Sequence, residues 1–584
     1  MAQRGGAVHV VTTTRRYKGR VYQTHLLRRS YRDQGKVKNE TLGNLSHLPE
    51  SVVELVRRAL QGESFAPVGE RLEIIDSKPH GDVEAVLRAM RCLNFASLLS
   101  SRPGPEVDLV MGMVAARIIA PHPKLATTRW WLESTLAAEL SLTEADEDDL
   151  YLAMDWLLDH QDVIEAKLAA RHLASGSMVL YDLSSSYFEG TSCPLAALGH
   201  NRDGKKGKLQ VNYGLLTDRR GCPIAVSVYK GNTGDSTTFL PQVRKLRDQF
   251  GLEHVVLVGD RGMISKASIE ALRKEQFSWI TALKAGQIRT LIEAGTVQLG
   301  LFDERNLVEI THPDYPGERL MACRNPELAK LRAHKRTSLL DATTKELEKV
   351  RAMVARGTLA GRDRIGVRVG KVINKFKVAK HFELQIEDTK FDFTRRVAQI
   401  AEEAMLDGFY VIRTDLQVAV MSTADTVRNY KALSSVERAF RCLKTVDLKV
   451  RPIHHRLENR VRAHIFLCML AYYVEWHMRE AWRELLFADE DLAAKTTRDP
   501  VAPAQRSEAA QIKATTHSLE DGTPAHSFRT LLQTLATIVR NVCRIPGEPT
   551  LATFTVTTTP NTLQHRAREL LDKITVKTEA PQRK

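Results

Sequence analysis

Apolar positions recur along this chain with two periods, and the places where the period changes divide it. Residues 8–46 alternate in the manner of strands. VHVVTTT, RVYQTHLLRRSY and KVKNETLG are rich in β-branched and aromatic residues, with breaks at Lys18-Gly19 and Gln34-Gly35. From Asp82 to about Leu173 the spacing is helical. Asp82 is the predicted N-cap of VEAVLRAMRCL, and apolar faces recur in VDLVMGMVAARIIA, TTRWWLESTLAAEL and DLYLAMDWLLDHQDVIEAKLAARHLA. Trp130 and Trp131 read as packing residues there. At Ser177 the pattern returns to short apolar runs. SMVLYDLSSSYFEG, LQVNYGLLTD and CPIAVSVYKG are three strand candidates, the last two joined by the hairpin turn Asp218–Gly221. Asp235 is placed to cap a helix from Ser236 to about Phe250. HVVLVGDRG is a fourth strand, a helix spans Ser265–Lys274, and FSWITAL is a fifth strand. The prediction is a mixed sheet flanked by helices, an α/β fold.

Residues 285–407 interrupt this order. They contain a hairpin across Pro313–Gly317, a long charged helix opened by Asn325-Pro326, the basic strip 361–380, and a β-like FELQIEDTKFDF. The strip carries Arg362, Arg364, Arg368, Lys371, Lys375, Lys377 and Lys380 against Asp363 alone, which suits DNA or a solvated face equally. Further on, YKALSSVERAFRCLK (430–444) holds neither Pro nor Gly, and Leu433, Val436, Phe440 and Leu443 fall at helical spacing. Tyr430, Glu437 and Lys444 stand seven apart on it, nearly two turns, so one face presents all three. IFLCMLAYYV (465–474) is too short to span a bilayer and reads as a buried core helix. A polar linker at about 493–525 leads to a small C-terminal module.

The predicted domains are 1–80, basic and β-rich; 81–175, helical; 176–284, first part of the α/β core; 285–407, inserted; 408–490, second part of the core; and 491–584, linker and C-terminal module.

Charge adds a partner. A net +15 and a pI near 9.4 point to a polyanion, of which nucleic acid is the usual one. In the N-terminal strands Arg15, Arg16, Lys18, Arg20, Arg28, Arg29, Arg32, Lys36 and Lys38 interleave with Tyr17, Tyr22 and Tyr31, which suits phosphate contact with base or sugar packing. Ordinary edge protection is the alternative. Seven scattered cysteines, with no C-x-x-C pair, suggest neither a disulfide framework nor a zinc site and fit a reducing cytosol. The N-terminus lacks the apolar core of a signal peptide, so the expectation is a soluble cytoplasmic protein with no membrane partner.

Two carboxylates lack local explanations. Asp182 lies inside a strand, where an ionised side chain needs a partner or cation. Asp260 follows the apolar VVLV run, at a strand end of the kind where active groups of α/β sheets collect. By contrast, Asp203 and Asp218 fall in turns, Asp235 at a helix start and Glu189 in a loop. With Glu437 over the sheet edge, Asp182 and Asp260 would form a cluster that only divalent cations could neutralise. An oxygen-only set selects Mg²⁺ or Mn²⁺. Two such ions, about 4 Å apart, serve phosphoryl displacement.

VLYDLSSSYFEG, GNTGDSTTF, VVLVGDRGMIS and YKALSSVERAFRCLK resemble the blocks of bacterial insertion-sequence DDE transposases of the branch with a Tyr-x2-Arg-x3-Glu-x6-Lys signature. The resemblance covers about 177–283 and 409–480. It implies an RNase H-like core with Asp182, Asp260 and Glu437 as catalytic metal ligands, two Mg²⁺ or Mn²⁺ per site, and 285–407 as the insertion of this branch. It also implies cut-and-paste transposition at terminal inverted repeats through a DNA hairpin, by a homodimer pairing two ends of double-stranded DNA. Tyr430 and Lys444 match signature positions that contact end DNA. Arg438, Arg441, Arg261 and the loop residues Lys205, Lys206 and Lys208 are further candidates for DNA contact. Leu433 stands where the signature has Arg, so that contact is either absent or supplied by Arg428, Lys431 or Arg438. Some relatives hold a flipped base with a Trp in the insertion; 285–407 has no Trp, leaving Tyr315 or Phe376 for that role. An RNase H-like nuclease or resolvase, and a non-catalytic domesticated DNA-binding protein, are the alternative functions.

Overall fold

Strand-period and helix-period segments segregate in space much as they do along the chain. The computed structural model describes residues 7–18, 20–33, 36–63, 73–298, 302, 306–493, 497–544 and 553–576. Its contacts group into two units, residues 1–77 with 540–557, and 78–539 with 558–584.

In the first unit, β1 (Ala7–Tyr17), β2 (Arg20–Asp33) and β3 (Lys36–Asn44) form an antiparallel meander. Thr12 pairs with His25 across β1 and β2, its hydroxyl 2.9 Å from the ring Nδ1. Gly19, Gln34 and Gly35, expected at the turns, lie outside the described residues. A helix, Glu50–Leu60, follows and buries Val53 alone; this element was not foreseen. A seven-residue strand, β4 (Glu73–Pro79), comes next.

The second unit opens with helices from Gly81 to His172. Asp82 is not the cap expected of it. The N-cap is His80, and Asp82 lies in the first turn, buried, with its carboxylate accepting the Val83 N–H at 2.9 Å. Burial pushes this carboxyl up to about 6. A carboxyl raised above its unfolded value destabilises the fold as pH climbs from about 4 to about 6, and the loss persists above that window. Asp82→Asn keeps the acceptor and removes the charge. The variant is expected to exceed the parent in stability by about 1–3 kcal/mol near pH 8 and to match it near pH 4, as denaturant unfolding at the two pH values would show.

The sheet that follows is built from β5 (Met178–Tyr187), β6 (Gln210–Asp218), β7 (Pro223–Lys230), β8 (Val256–Gly259), β9 (Ser278–Ala282), β10 (Leu307–Ile310) and β11 (Arg319–Arg324), with β14 (Phe409–Thr414) arriving after the hairpin β12 (Phe382–Ile386) and β13 (Phe391–Arg395). Its order is β10-β11-β14-β9-β8-β5-β6-β7. β5, β6 and β7 are antiparallel neighbours, whereas β5, β8 and β9 run parallel. This is the RNase H-like arrangement, extended past β9 by three antiparallel strands. All nine residues of β6, which lies inside the sheet between β5 and β7, are buried. The apolar run expected to be a core helix is Glu458–Ala481, buried at every residue from Ala463 to Met478 and packed on β7. No helix among the described residues is long and apolar enough to cross a membrane.

Between β11 and β14 a separate core forms. Leu347, Val350, Ile365, Val369 and Phe382 bring together the helices Pro326–Ala355 and Arg362–Phe376 and the hairpin β12–β13. The basic strip is thus a helix with one apolar edge. Ile365, Val369 and Ile373 turn inward at four-residue spacing, and Arg362, Arg364, Arg368, Lys371 and Lys375 are exposed. The expected linker is partly seated: Val501 is fully buried and Glu508–Thr516 is helical. Finally β15 (Val539–Arg544) and β16 (Phe554–Thr557) form a three-stranded sheet with β4.

Candidate active site

Strand register brings the first two acids together. Tyr181 of β5 pairs with Gly259, the last residue of the parallel strand β8. Asp182 and Asp260 each follow by one residue, so they stand side by side at the C-terminal end of β8. The Asp260 carbonyl accepts the N–H groups of Met263 and Ile264, a turn that ends the strand and leaves the carboxylate exposed. Glu437 comes from the helix Leu433–Arg441, which lays Val436, Ala439 and Phe440 against β5 and exposes the acid. The three line one cavity of about 510 Å³.

Their mutual field is visible at Asp182. Burial pushes its carboxyl up to about 7; the charges of Asp260 and Glu437 add to the rise, while the Leu183 N–H at 2.8 Å and Arg202 oppose it. Among the described residues, the groups of three potential ligands whose atoms all lie within 4.8 Å of one another are elsewhere, so this trio is more open than a closed ligand shell.

The expected single helix through Tyr430, Glu437 and Lys444 is broken. Thr423–Lys431 ends before Ala432, Leu433–Arg441 begins after it, and the chain widens into a π-helix at Cys442–Val446. Glu437 and Lys444 nonetheless line the same cavity, and Tyr430 reaches Asp260 beside it. The Tyr430 hydroxyl donates to Asp260 Oδ1 at 3.4 Å. Lys444 is buried and bonds Asp203 Oδ1 at 3.0 Å; burial pushes its pKa down and Asp203 pulls it back.

Asp203 and Asp235 are the residues that spacing misses. Asp203 looks like a turn residue, yet its side chain is 2% exposed. It accepts the Tyr187 N–H at 2.9 Å and also pairs with Arg451. Asp235 does not cap its helix; Gly234 holds that position, and Asp235 pairs with Arg202 at 2.5 Å on the cavity wall. A loop sequence of Asn, Asp, Gly and Lys carries no sign of such partners, which are contributed from far along the chain.

The remaining DNA-contact candidates lie as follows. Arg438 and Arg441 are exposed beside Glu437, and Arg261 is exposed beside Asp260. Lys205 and Lys206 are exposed, while Lys208 pairs with Glu189 at 2.9 Å. Leu433 packs half-buried against the core. Of the cations that could replace a signature Arg there, Arg428 and Lys431 bond carbonyls of Arg498, Val501 and Ala502, and Lys431 and Arg438 are exposed.

A family model described as the transposase DDE domain matches residues 188–474, which include Asp260 and Glu437. One described as the IS1634 family transposase N-terminal domain matches residues 10–67. None of the curated proteins matches the chain. Among solved structures, a cryo-EM structure of the piggyBac transposase synaptic complex with hairpin DNA is similar at 9% identity and a TM-score of 0.35, covering 85% of this chain and 84% of that one. With both family matches in place, the chain belongs to the DDE transposases of insertion sequences, enzymes that act on DNA with divalent metal ions.

Proposed function

We propose that this transposase moves its own element by cut-and-paste, with Asp182, Asp260 and Glu437 as the catalytic metal ligands. The observation that carries the reading is the β5–β8 register, which sets Asp182 beside Asp260 beneath the Glu437 helix. The donor set fits the metal: three carboxylates, one of them half-buried and raised by that burial and by its neighbours' charges, call for a hard cation such as Mg²⁺ or Mn²⁺. Two ions suit the three ligands and, when bound, supply Lewis-acid polarisation of a phosphodiester and charge neutralisation.

The protein's own groups do the positioning. Tyr430 orients Asp260, while the pairs Arg202–Asp235 and Lys444–Asp203 brace the cavity wall. Arg261, Arg438, Arg441, Lys205 and Lys206 attract the phosphate backbone toward it. Water first displaces a 3′ oxygen at each element end, leaving a 3′ hydroxyl. That hydroxyl then attacks a target phosphodiester and expels another 3′ oxygen, so one bond forms as one breaks. The region 1–80 and the basic face of the helix Arg362–Phe376 are assigned to contacts with the terminal inverted repeats and target. A homodimer pairs the two ends, in the bacterial cytoplasm.

Incubating the purified protein with a DNA that carries both element ends tests this. Cleaved ends and strand-transfer products are expected with Mg²⁺ or Mn²⁺, falling to background with a chelator and returning on re-addition of metal. Cleavage without joining of precut ends would assign the chain to the nucleases, and products in the presence of chelator would refute the metal assignment.

A further inference from the structure

Away from the carboxylate cavity, three borderline and soft ligands meet. His172 ends the helix Gln161–His172, Cys222 follows the β6–β7 turn, and His477 lies on the helix Glu458–Ala481. A ring nitrogen of each histidine and the Cys222 sulfur lie within 4.8 Å of one another. Cys222 Sγ is 3.8 Å from His477 Nε2, and the two imidazole centroids are 5.7 Å apart. The geometry points to a zinc site formed by His172, Cys222 and His477, separate from the carboxylate cavity.

The donor chemistry selects the metal. One thiolate and two neutral imidazoles suit tetrahedral Zn²⁺ and disfavour Mg²⁺, which takes oxygen. Cys222 is fully buried and makes no disulfide. Its position is fixed before any ion arrives, because Asp218 Oδ1 accepts the N–H groups of Cys222 at 2.9 Å and Arg220 at 2.8 Å. The Tyr473 hydroxyl stands 3.1 Å from His172 Nε2, a partner of the kind that orients a ligating ring. The Cys222 thiol gives its proton to solvent as the sulfur–zinc bond forms. His172 and His477 both face a cleft of about 1900 Å³, which supplies the fourth position as water. The ion would add one more tie between a helix of the N-terminal array, the sheet edge and the central helix, which already pack on one another.

The full-length protein, stripped with a chelator, would be titrated with Co²⁺ and then Zn²⁺. One equivalent of Co²⁺ is expected to give a thiolate-to-metal absorption band that Zn²⁺ abolishes, with zinc raising the thermal unfolding midpoint. Cys222→Ser removes the band, and His477→Gln weakens binding by at least about tenfold. Asp182→Asn retains the band, because an oxygen-only site holds no thiolate. Should Cys222→Ser fold poorly, Cys222→Ala and His172→Gln provide the same readout. No band at one equivalent, or a band that survives loss of Cys222, would overturn the site and leave a hydrogen-bonded core cluster.

Discussion

Asp182→Asn, Asp260→Asn and Glu437→Gln are each expected to reduce single-turnover cleavage at the element ends by at least about a thousandfold. The replacements keep shape and hydrogen-bonding capacity; in Asp182→Asn the amide oxygen would still accept the Leu183 N–H that Asp182 accepts now. What each removes is one negative charge from the cavity proposed to hold the cations. At Asp182 the substitution also removes a half-buried charge that its surroundings disfavour, so the fold is not weakened by it. Binding of end DNA, read by fluorescence anisotropy, is expected to stay within about threefold, because a carboxylate contributes nothing attractive to a phosphate. Near-normal cleavage by any one of the three would remove that residue from the metal-binding set.

The second large effect concerns stability. Arg479 donates from Nε to Glu475 Oε1 and from its guanidinium to Asp447 Oδ2, both at 2.6 Å, and stacks 4.5 Å over the Phe528 ring. Glu475 is fully buried and Asp447 nearly so. Arg479→Ala leaves two buried acids without their shared cation and is expected to cost about 3–5 kcal/mol. The cost depends on pH with a definite sign. Burial pushes the Glu475 carboxyl up to about 8 even beside Arg479, and removal of the arginine raises it further. A raised carboxyl destabilises increasingly from about pH 4.5 upward. From about pH 4.5 to 8 Glu475 stays protonated in both folded proteins, so the gap is expected to hold steady there and to widen above about pH 8, where the parent's carboxyl ionises first, measured by urea unfolding. A gap that does not change with pH would mean that the lost packing on Phe528 dominates.

The acids on strands were legible because a lone Asp in an apolar run has no local reason to be there. Asp182 and Asp260 stood out on that ground, and the hairpin at Asp218–Gly221 was marked by its turn chemistry. The broken helix at Ala432 had no such mark. Its backbone stays right-handed helical, φ −61° and ψ −18°, and its N–H is shared between the Arg428 and Asn429 carbonyls. A lapse of that kind leaves no Pro or Gly behind, and the apolar spacing runs through it. The partner of Lys444 was hidden for a related reason: spacing puts Lys444 two turns from Glu437 but gives no sign of Asp203, 241 residues away, which receives it. The grouping of His172, Cys222 and His477 was equally hidden, since zinc signatures are read from ligands close in sequence. Long-range pairs are properties of the folded chain, and one sequence shows only their separate halves.

The inserted body between β11 and β14 has a consequence for synthesis. It separates Glu437 from the two acids supplied by β5 and the end of β8, so the ribosome makes the third carboxylate last, after the whole insertion. A nascent or prematurely terminated chain can present the basic N-terminal strands, Asp182 and Asp260 without the group that completes the cavity. With the N-terminal strands holding element ends and Glu437 completing the metal set, as proposed, such a product would occupy an element end without cutting it. Abortive translation would then yield a competitor of transposition in place of a stray nuclease.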